Sequence, residues 1–272
     1  MILKKQLRDR YLRQINQLKP LSAEDLAASA IVFSPHQDDE TLGCGGTIIR
    51  KREAEAEVKI VFMTDGSRSH DRFIPPAELI VLRQQEAVQA AQTLNVEAEN
   101  VVFLGFRDGE LQQSLKMAIA QVQELLIQNQ PQQVFIPYLR ETHPDHLATS
   151  QIVLAALTNY HSEVTIYEYP VWYWHHFPWT RSDRHSHLNY LKSSIKAKLG
   201  WQLIQEFNYR VGIESIKSQK QLALAQHQTQ MKRLIDDPSW GLLQDVSNGE
   251  WLNCFFQSQE IFRRTLNTGA KL

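Results

Sequence analysis

From residue 30 to about residue 170, short runs rich in β-branched and aromatic residues alternate with longer stretches of helical periodicity. The runs are AIVFS (30–34), VKIVFMT (58–64), NVVFLG (100–105), QVFIP (133–137) and EVTIYEY (163–169). The gaps between them predict helices over roughly 41–56, 77–94, 111–129 and 145–158. In the second of these, Leu79, Leu82, Ala87, Ala90, Ala91 and Leu94 form one apolar stripe. Such an alternation predicts a parallel sheet with crossover helices on both of its faces.

The two ends of the chain follow a different pattern. Leu3, Leu7, Tyr11, Ile15 and Leu18 recur at helical spacing with Lys and Arg between them, which predicts an N-terminal helix within residues 1–20. That helix either packs on the main domain or a partner, or lies on a membrane surface. After residue 170 the sequence turns to YPVWYWHHFPWTRSDRHSH, dense in Trp, His and Pro, and predicts an aromatic cap loop over 170–187. A helical run around 187–207, a strand at NYRVGI (208–213) and a helix over 215–235 follow. EWLNCFFQSQEIFRR then predicts a closing strand or hairpin. No internal repeat or low-complexity stretch divides the chain, so 1–272 is expected to form a single domain with these two appendages.

Composition narrows the function. With 29 Lys and Arg against 30 Asp and Glu, the net charge of −1 leaves no basic footprint for nucleic acid, and a small-molecule partner is expected instead. Two cysteines, Cys44 and Cys254, are too few for a disulfide framework and suggest a reducing compartment. The first twenty residues lack the apolar core and cleavage site of a secretory signal, and no stretch has the length of a transmembrane segment. The expectation is a soluble, cytoplasmic protein, and its composition is compatible with a homo-oligomer.

The chemistry is concentrated after two of the predicted strands. Directly behind the first comes S-P-H-Q-D-D-E-T-L-G-C-G-G (34–46), with a histidine and three acids in five positions. Mutual repulsion makes such a cluster costly without a cation. His36 and Asp39, three apart in a tight turn, can point to one centre, whereas Asp38 must project differently. Gly43, Gly45 and Gly46 would let the following helix approach the sheet or a ligand closely. The second cluster, H-P-D-H (143–146), follows the fourth strand and lies at the same edge of a parallel sheet. A His, Asp, His ligand set with a fourth position open to water is the arrangement of a catalytic zinc site, and the absence of paired cysteines argues against a closed structural one. Asp65 in T-D-G, and Arg107 and Asp108 in F-R-D-G, also follow strands and are either turn residues or neighbours of the site. Trp172 and Trp174 are either a core plug or a platform for the apolar face of a sugar ring.

At these positions the sequence resembles the PIG-L/LmbE-like family of metal-dependent N-deacetylases. The family motif H-P-D-D-E stands here as His36-Gln37-Asp38-Asp39-Glu40, and H-x-x-H as His143-Pro144-Asp145-His146. T-D-G at 64–66, the helix carrying Arg83, Glu86 and Ala90, and a late pattern of Lys220, His227, Thr229 and Gln230 extend the resemblance over most of the chain. It implies a Rossmann-like three-layer sandwich with a mostly parallel sheet and the active site at the carboxyl ends of the strands. His36, Asp39 and His146 are implied as ligands of zinc or another divalent cation, Asp38 as general base, His143 as a neighbour of the oxyanion and Arg83 as a substrate contact. Asp108, Trp172 and Trp174 are further expected to touch substrate, while Asp145 and Glu40 support the site from behind. Two departures stand out: Gln37 replaces the usual proline, and Glu141 stands where some relatives place a tyrosine.

The function implied is removal of an acetyl group from the nitrogen of an N-acetylglucosamine-type sugar or glycoconjugate. Another amidase on the same scaffold, acting on a different N-acyl or thiol-conjugate amide, differs only in its pocket. A non-catalytic carbohydrate-binding module has no use for Asp38 beside a complete ligand set. A dinucleotide-binding oxidoreductase requires G-x-G-x-x-G after the first strand, which is absent.

Overall fold

The computed structural model describes residues 2–180, 187–196 and 198–267. The chain runs α1 (Ile2–Ile15), β1 (Lys19–Pro20), α2 (Ala23–Ala27), β2 (Ala30–Ser34), α3 (Asp39–Glu53), β3 (Val58–Thr64), α4 (Pro76–Thr93) and β4 (Val101–Phe106). It continues through α5 (Leu115–Asn129), β5 (Gln133–Pro137), α6 (Pro144–Thr158), β6 (Val164–Tyr169), α7 (His187–Lys196) and α8 (Trp201–Glu206). The last elements are β7 (Tyr209–Gly212), α9 (Lys217–Leu224), α10 (Gln228–Met231) and β8 (Gln259–Asn267).

The strands form one sheet in the order β1-β7-β8-β6-β5-β2-β3-β4. All described pairings are parallel except those of β8, which runs antiparallel to both β6 and β7. Alternate residues of the central strands feed two separate cores. Ala30 and Val32 of β2 join Ile60 and Phe62 of β3 beneath α3, α4 and α9. Ile31 and Phe33 join Val61 and Met63 beneath α5 and α6. The period of two along each strand thus builds the three-layer sandwich that the alternation of elements predicted.

Helix α3 lies unusually close to the sheet. A Cβ placed on Gly43 would come within 2.9 Å of Tyr169 Cε2 and closer still to Cδ2, so only glycine permits this approach.

The N-terminal end follows expectation, and the C-terminal end departs from it in part. Tyr11 and Ile15 of α1 are buried, and Tyr11 meets the rings of Trp179 and Trp201 at 5.8 and 5.6 Å, so the helix packs on the main domain. The expected single helix over 215–235 is broken between α9 and α10, where His227 leaves helical geometry (φ −74°, ψ 64°). Of the expected closing strand or hairpin, the chain forms the single strand β8. Of the expected cap loop, residues 181–186 lie outside the described residues. The part before them folds inward, with Tyr173, Trp174 and Trp179 all buried. No described helix is long and apolar enough to cross a membrane.

Candidate metal centre and active site

Strand β2 continues to β3 and β4 on one side, whereas β5 continues to β6 on the other. The order therefore reverses between β2 and β5, and a crevice opens beyond their carboxyl ends. Both histidine-containing turns stand at this crevice.

The first turn is held from several directions. The Ser34 hydroxyl donates to His36 O at 2.6 Å and accepts the Glu40 N–H at 3.0 Å. The Gln37 amide donates to Thr64 O at 2.8 Å, tying the turn to the end of β3, while Arg83 of α4 donates to Gln37 O. Gln37 thus replaces the rigidity of proline with a hydrogen bond. Asp38 is left at φ 152°, a conformation that costs an L residue about 1–3 kcal/mol. Its N–H is held by Glu40 Oε2 at 3.0 Å and its carbonyl accepts Leu42 N–H at 2.9 Å. Two adjacent carboxylates consequently meet different partners: Asp38 Oδ2 lies 3.5 Å from Arg83 Nη2, and Asp39 Oδ2 lies 3.2 Å from His36 Nδ1.

The second turn completes the group. His146 Nε2 lies 3.1 Å from the same Asp39 oxygen, yet neither ring nitrogen of this buried histidine makes a hydrogen bond. Buried polar atoms normally find a partner, so this orphaned imidazole points to a missing one. Donors 2.0–2.1 Å from a tetrahedral zinc stand roughly 3.3 Å from one another, and Asp39 Oδ2 stands at that spacing from both His36 Nδ1 and His146 Nε2. Two other groupings share His36: one with His143 and His146, and one with Asp108 and Asp145, in which His36 Nε2 lies 3.4 Å from Asp108 Oδ1 and 3.2 Å from Asp145 Oδ2. Asp145 already accepts the N–H groups of Gly109 at 2.7 Å and Leu111 at 3.2 Å, and Asp108 that of Arg68 at 3.1 Å. The Asp108 and Asp145 carboxylates orient the imidazole through Nε2 and leave Nδ1 turned towards Asp39.

The electrostatics follow from crowding in a small volume. Burial, reinforced by the charge of Asp39, pushes the Asp38 carboxyl up to about 7 against the pull of Arg83. Burial would also raise Asp39, but the His146 and His36 imidazoles hold it well below the usual carboxylate range. His36 is driven above its ordinary value despite burial, because Asp108, Asp145 and Asp39 surround it. His143 behaves oppositely: burial and then the charges of His36 and His146 lower it to about 4. As N-cap of α6 it accepts Asp145 N–H on Nδ1 at 3.3 Å, which places the proton of its neutral ring on Nε2.

These residues line a cavity of about 350 Å³. Arg68, Ser69 and Gln230 form a polar wall, and Trp172, Trp251 and Leu243 an apolar one. Of the residues expected at the site, His36, Asp38, Asp39, Arg83, Asp108, His143 and Trp172 line this cavity, while His146, Asp145 and Glu40 stand behind it. Trp174 does not line it. Its ring is buried edge-on against Trp179 at 4.8 Å, because Trp172–Trp174 form a tight 3-10 turn that sends alternate indoles outward and inward. Arg107 is exposed and pairs with Glu110 at 3.4 Å, and Asp65 braces the N–H groups of Ser67 and Asp108. Trp251 and Leu243 had no signal in the sequence. Trp251 stacks on Trp172 at 4.7 Å, a contact between segments far apart in the chain.

A doubly wound α/β fold carrying a His/Asp centre at its reversal point defines the class of protein. Residues 31–157 match the family described as PIG-L: GlcNAc-PI de-N-acetylase. The chain is 28% identical over 133 residues to a probable N-acetyl-alpha-D-glucosaminyl L-malate deacetylase 2 of Bacillus subtilis, covering 47% of this chain and 59% of that one. It is 26% identical over 211 residues to the diacetylchitobiose deacetylase of Thermococcus kodakarensis, covering 74% and 69% respectively. The chain thus spans about six-tenths of the length of the first relative. Among solved structures, N,N'-diacetylchitobiose deacetylase from Pyrococcus horikoshii shares the fold, with a TM-score of 0.64 and 22% identity over 96% of this chain and 92% of that one.

Proposed function

We propose that this protein is a metal-dependent hydrolase that removes an N-acetyl group from an N-acetylglucosamine-type sugar or glycoconjugate. The observation that carries the reading is the convergence of His36 Nδ1, Asp39 Oδ2 and His146 Nε2, with Asp38 beside them on the cavity wall. The relatives, named as deacetylases of N-acetylglucosaminyl compounds, support the substrate class.

His36, Asp39 and His146 would hold the cation. Zinc, when bound, supplies Lewis acidity that polarises a carbonyl and lowers the pKa of a water from about 15.7 to about 7. Asp38 takes the proton of the attacking water and returns it to the departing nitrogen, which an amine requires to leave. Its elevated pKa suits a group that must accept and then donate near neutrality. His143 offers its Nε2–H to the oxygen that becomes negative as the carbonyl turns tetrahedral. Arg83 and Asp108 meet the polar groups of the sugar, and Trp172 and Trp251 cover its apolar side.

The test is metal analysis of the purified protein followed by acetate release from a panel of N-acetylglucosamine derivatives and unrelated acyl amines. Zinc near one equivalent with acetate released selectively from the N-acetyl sugars is expected. A protein that binds no divalent cation, or that prefers larger acyl groups, overturns the reading.

A further inference from the structure

Glu141 lies on the connection between β5 and α6, two positions before His143, and its side chain is wholly enclosed. It occupies the position at which some relatives in the resembled family place a tyrosine. Oε1 accepts the N–H groups of Val171 at 2.7 Å and Tyr173 at 3.2 Å, and Oε2 accepts that of Trp172 at 2.7 Å. Three successive amides converging on one carboxylate form an anion nest, with charge-assisted hydrogen bonds that set the start of the turn. That turn carries Trp172, half of the stacked pair on the apolar wall of the cavity.

The same carboxylate faces the metal centre. Glu141 Oε2 stands 3.8 Å from His146 Nδ1, a buried nitrogen without a hydrogen-bond partner. An imidazole that coordinates through Nε2 carries its proton on Nδ1, and such ligands almost always donate that proton to a carboxylate or carbonyl. Glu141 is the carboxylate placed to receive it, and hydrogen bonds of this kind tighten when the ligand arrives.

Resting on the metal-centre reading above, we infer that Glu141 is a positioning residue that joins the ligand His146 to the aromatic wall at Trp172. One carboxylate orients the imidazole and pins the three amides, so cation binding and the order of the wall are coupled. The Glu in place of tyrosine thereby acts through His146 and the loop, and it does not touch the substrate.

The experiment compares zinc affinity of the metal-stripped wild type and Glu141→Gln by competition with a chromophoric chelator. It also measures hydrogen–deuterium exchange of the wild-type segment 168–176 with and without zinc. Glu141→Gln is expected to bind zinc about 10–100-fold more weakly. Zinc is expected to slow exchange in 168–176 of the wild type, a readout that survives if the variant does not fold. A folded Glu141→Gln with unchanged zinc affinity, or wild-type exchange indifferent to zinc, overturns the role of Glu141 alone. A wild type that takes up no zinc overturns the metal centre itself.

Discussion

His227 Nε2 lies 2.9 Å from Glu40 Oε1, and both side chains are completely buried. Glu40 in turn holds the N–H of Asp38, so the late segment of the chain reaches the strained residue through this ion pair. Removing the histidine leaves an enclosed carboxylate without its ion-pair partner, with only the Thr41 hydroxyl and the Asp38 N–H to satisfy it. His227→Ala should therefore lose about 3–5 kcal/mol of stability, measured by urea unfolding. His227→Gln, which retains a donor, should recover part of the loss. An alanine variant as stable as the wild type would show that the pair does not hold the turn.

Asp38→Asn keeps the shape of the side chain and removes its basicity. Zinc content should stay at the wild-type level while kcat for acetate release falls by about 10²–10⁴-fold. Near-normal turnover on a good substrate would rule out Asp38 as the base.

His143→Ala should lower kcat by about 10²–10³-fold through loss of the oxyanion donor, with zinc retained. The outcome discriminates between two arrangements, because His36, His143 and His146 also lie close enough to share a cation. If the variant loses its metal, His143 is a ligand and another group must stabilise the oxyanion.

Metal removal should be visible in stability as well as in activity. Zinc at 100 times its Kd stabilises a protein that binds it only when folded by about 2.7 kcal/mol. Adding zinc to the stripped wild type should raise its melting temperature. Asp39→Ala and His146→Ala should show no such rise, and a normal rise in either would remove that residue from the ligand set.

Lys51 provides a test remote from the site. Its buried ammonium donates to Asp25 O at 2.9 Å and Ala28 O at 2.6 Å, and burial lowers its pKa to about 7. In the unfolded chain the group titrates near 10.4, so between pH 7 and about 10 the unfolded state binds more protons. The contribution of Lys51 to stability should therefore rise with pH across this window and fall as the pH drops towards 7. Lys51→Met should flatten that slope in unfolding curves at pH 7, 8 and 9. A variant with the wild-type slope would place the titration elsewhere.

How much of this was legible beforehand depended on the range of the interaction. The five strands expected between residues 30 and 170 agree with β2 to β6 to within a residue, because propensity and crossover spacing are local properties. The helix expected over 215–235 failed for a non-local reason. Its residues are good helix formers, but His227 leaves the helix and pairs with Glu40, and Thr229 N–H and hydroxyl bind Glu86 at 2.9 and 2.7 Å. Tertiary hydrogen bonds to buried acids outweigh a propensity of a few tenths of a kcal/mol per residue. Trp172 and Trp174 were indistinguishable by composition, and only the 3-10 turn assigns one to the cavity and the other to the core.

By itself the sequence determined the order of elements, the sandwich they build and the two turns where histidines and acids gather, since each follows from residues near one another in the chain. Only the tertiary structure decided which atoms face a common centre, that Asp38 and Asp39 part company, and that Glu141 stands between His146 and the aromatic wall. Those are relations of a few ångströms between distant segments. They arise from sheet order and burial, which no local pattern encodes.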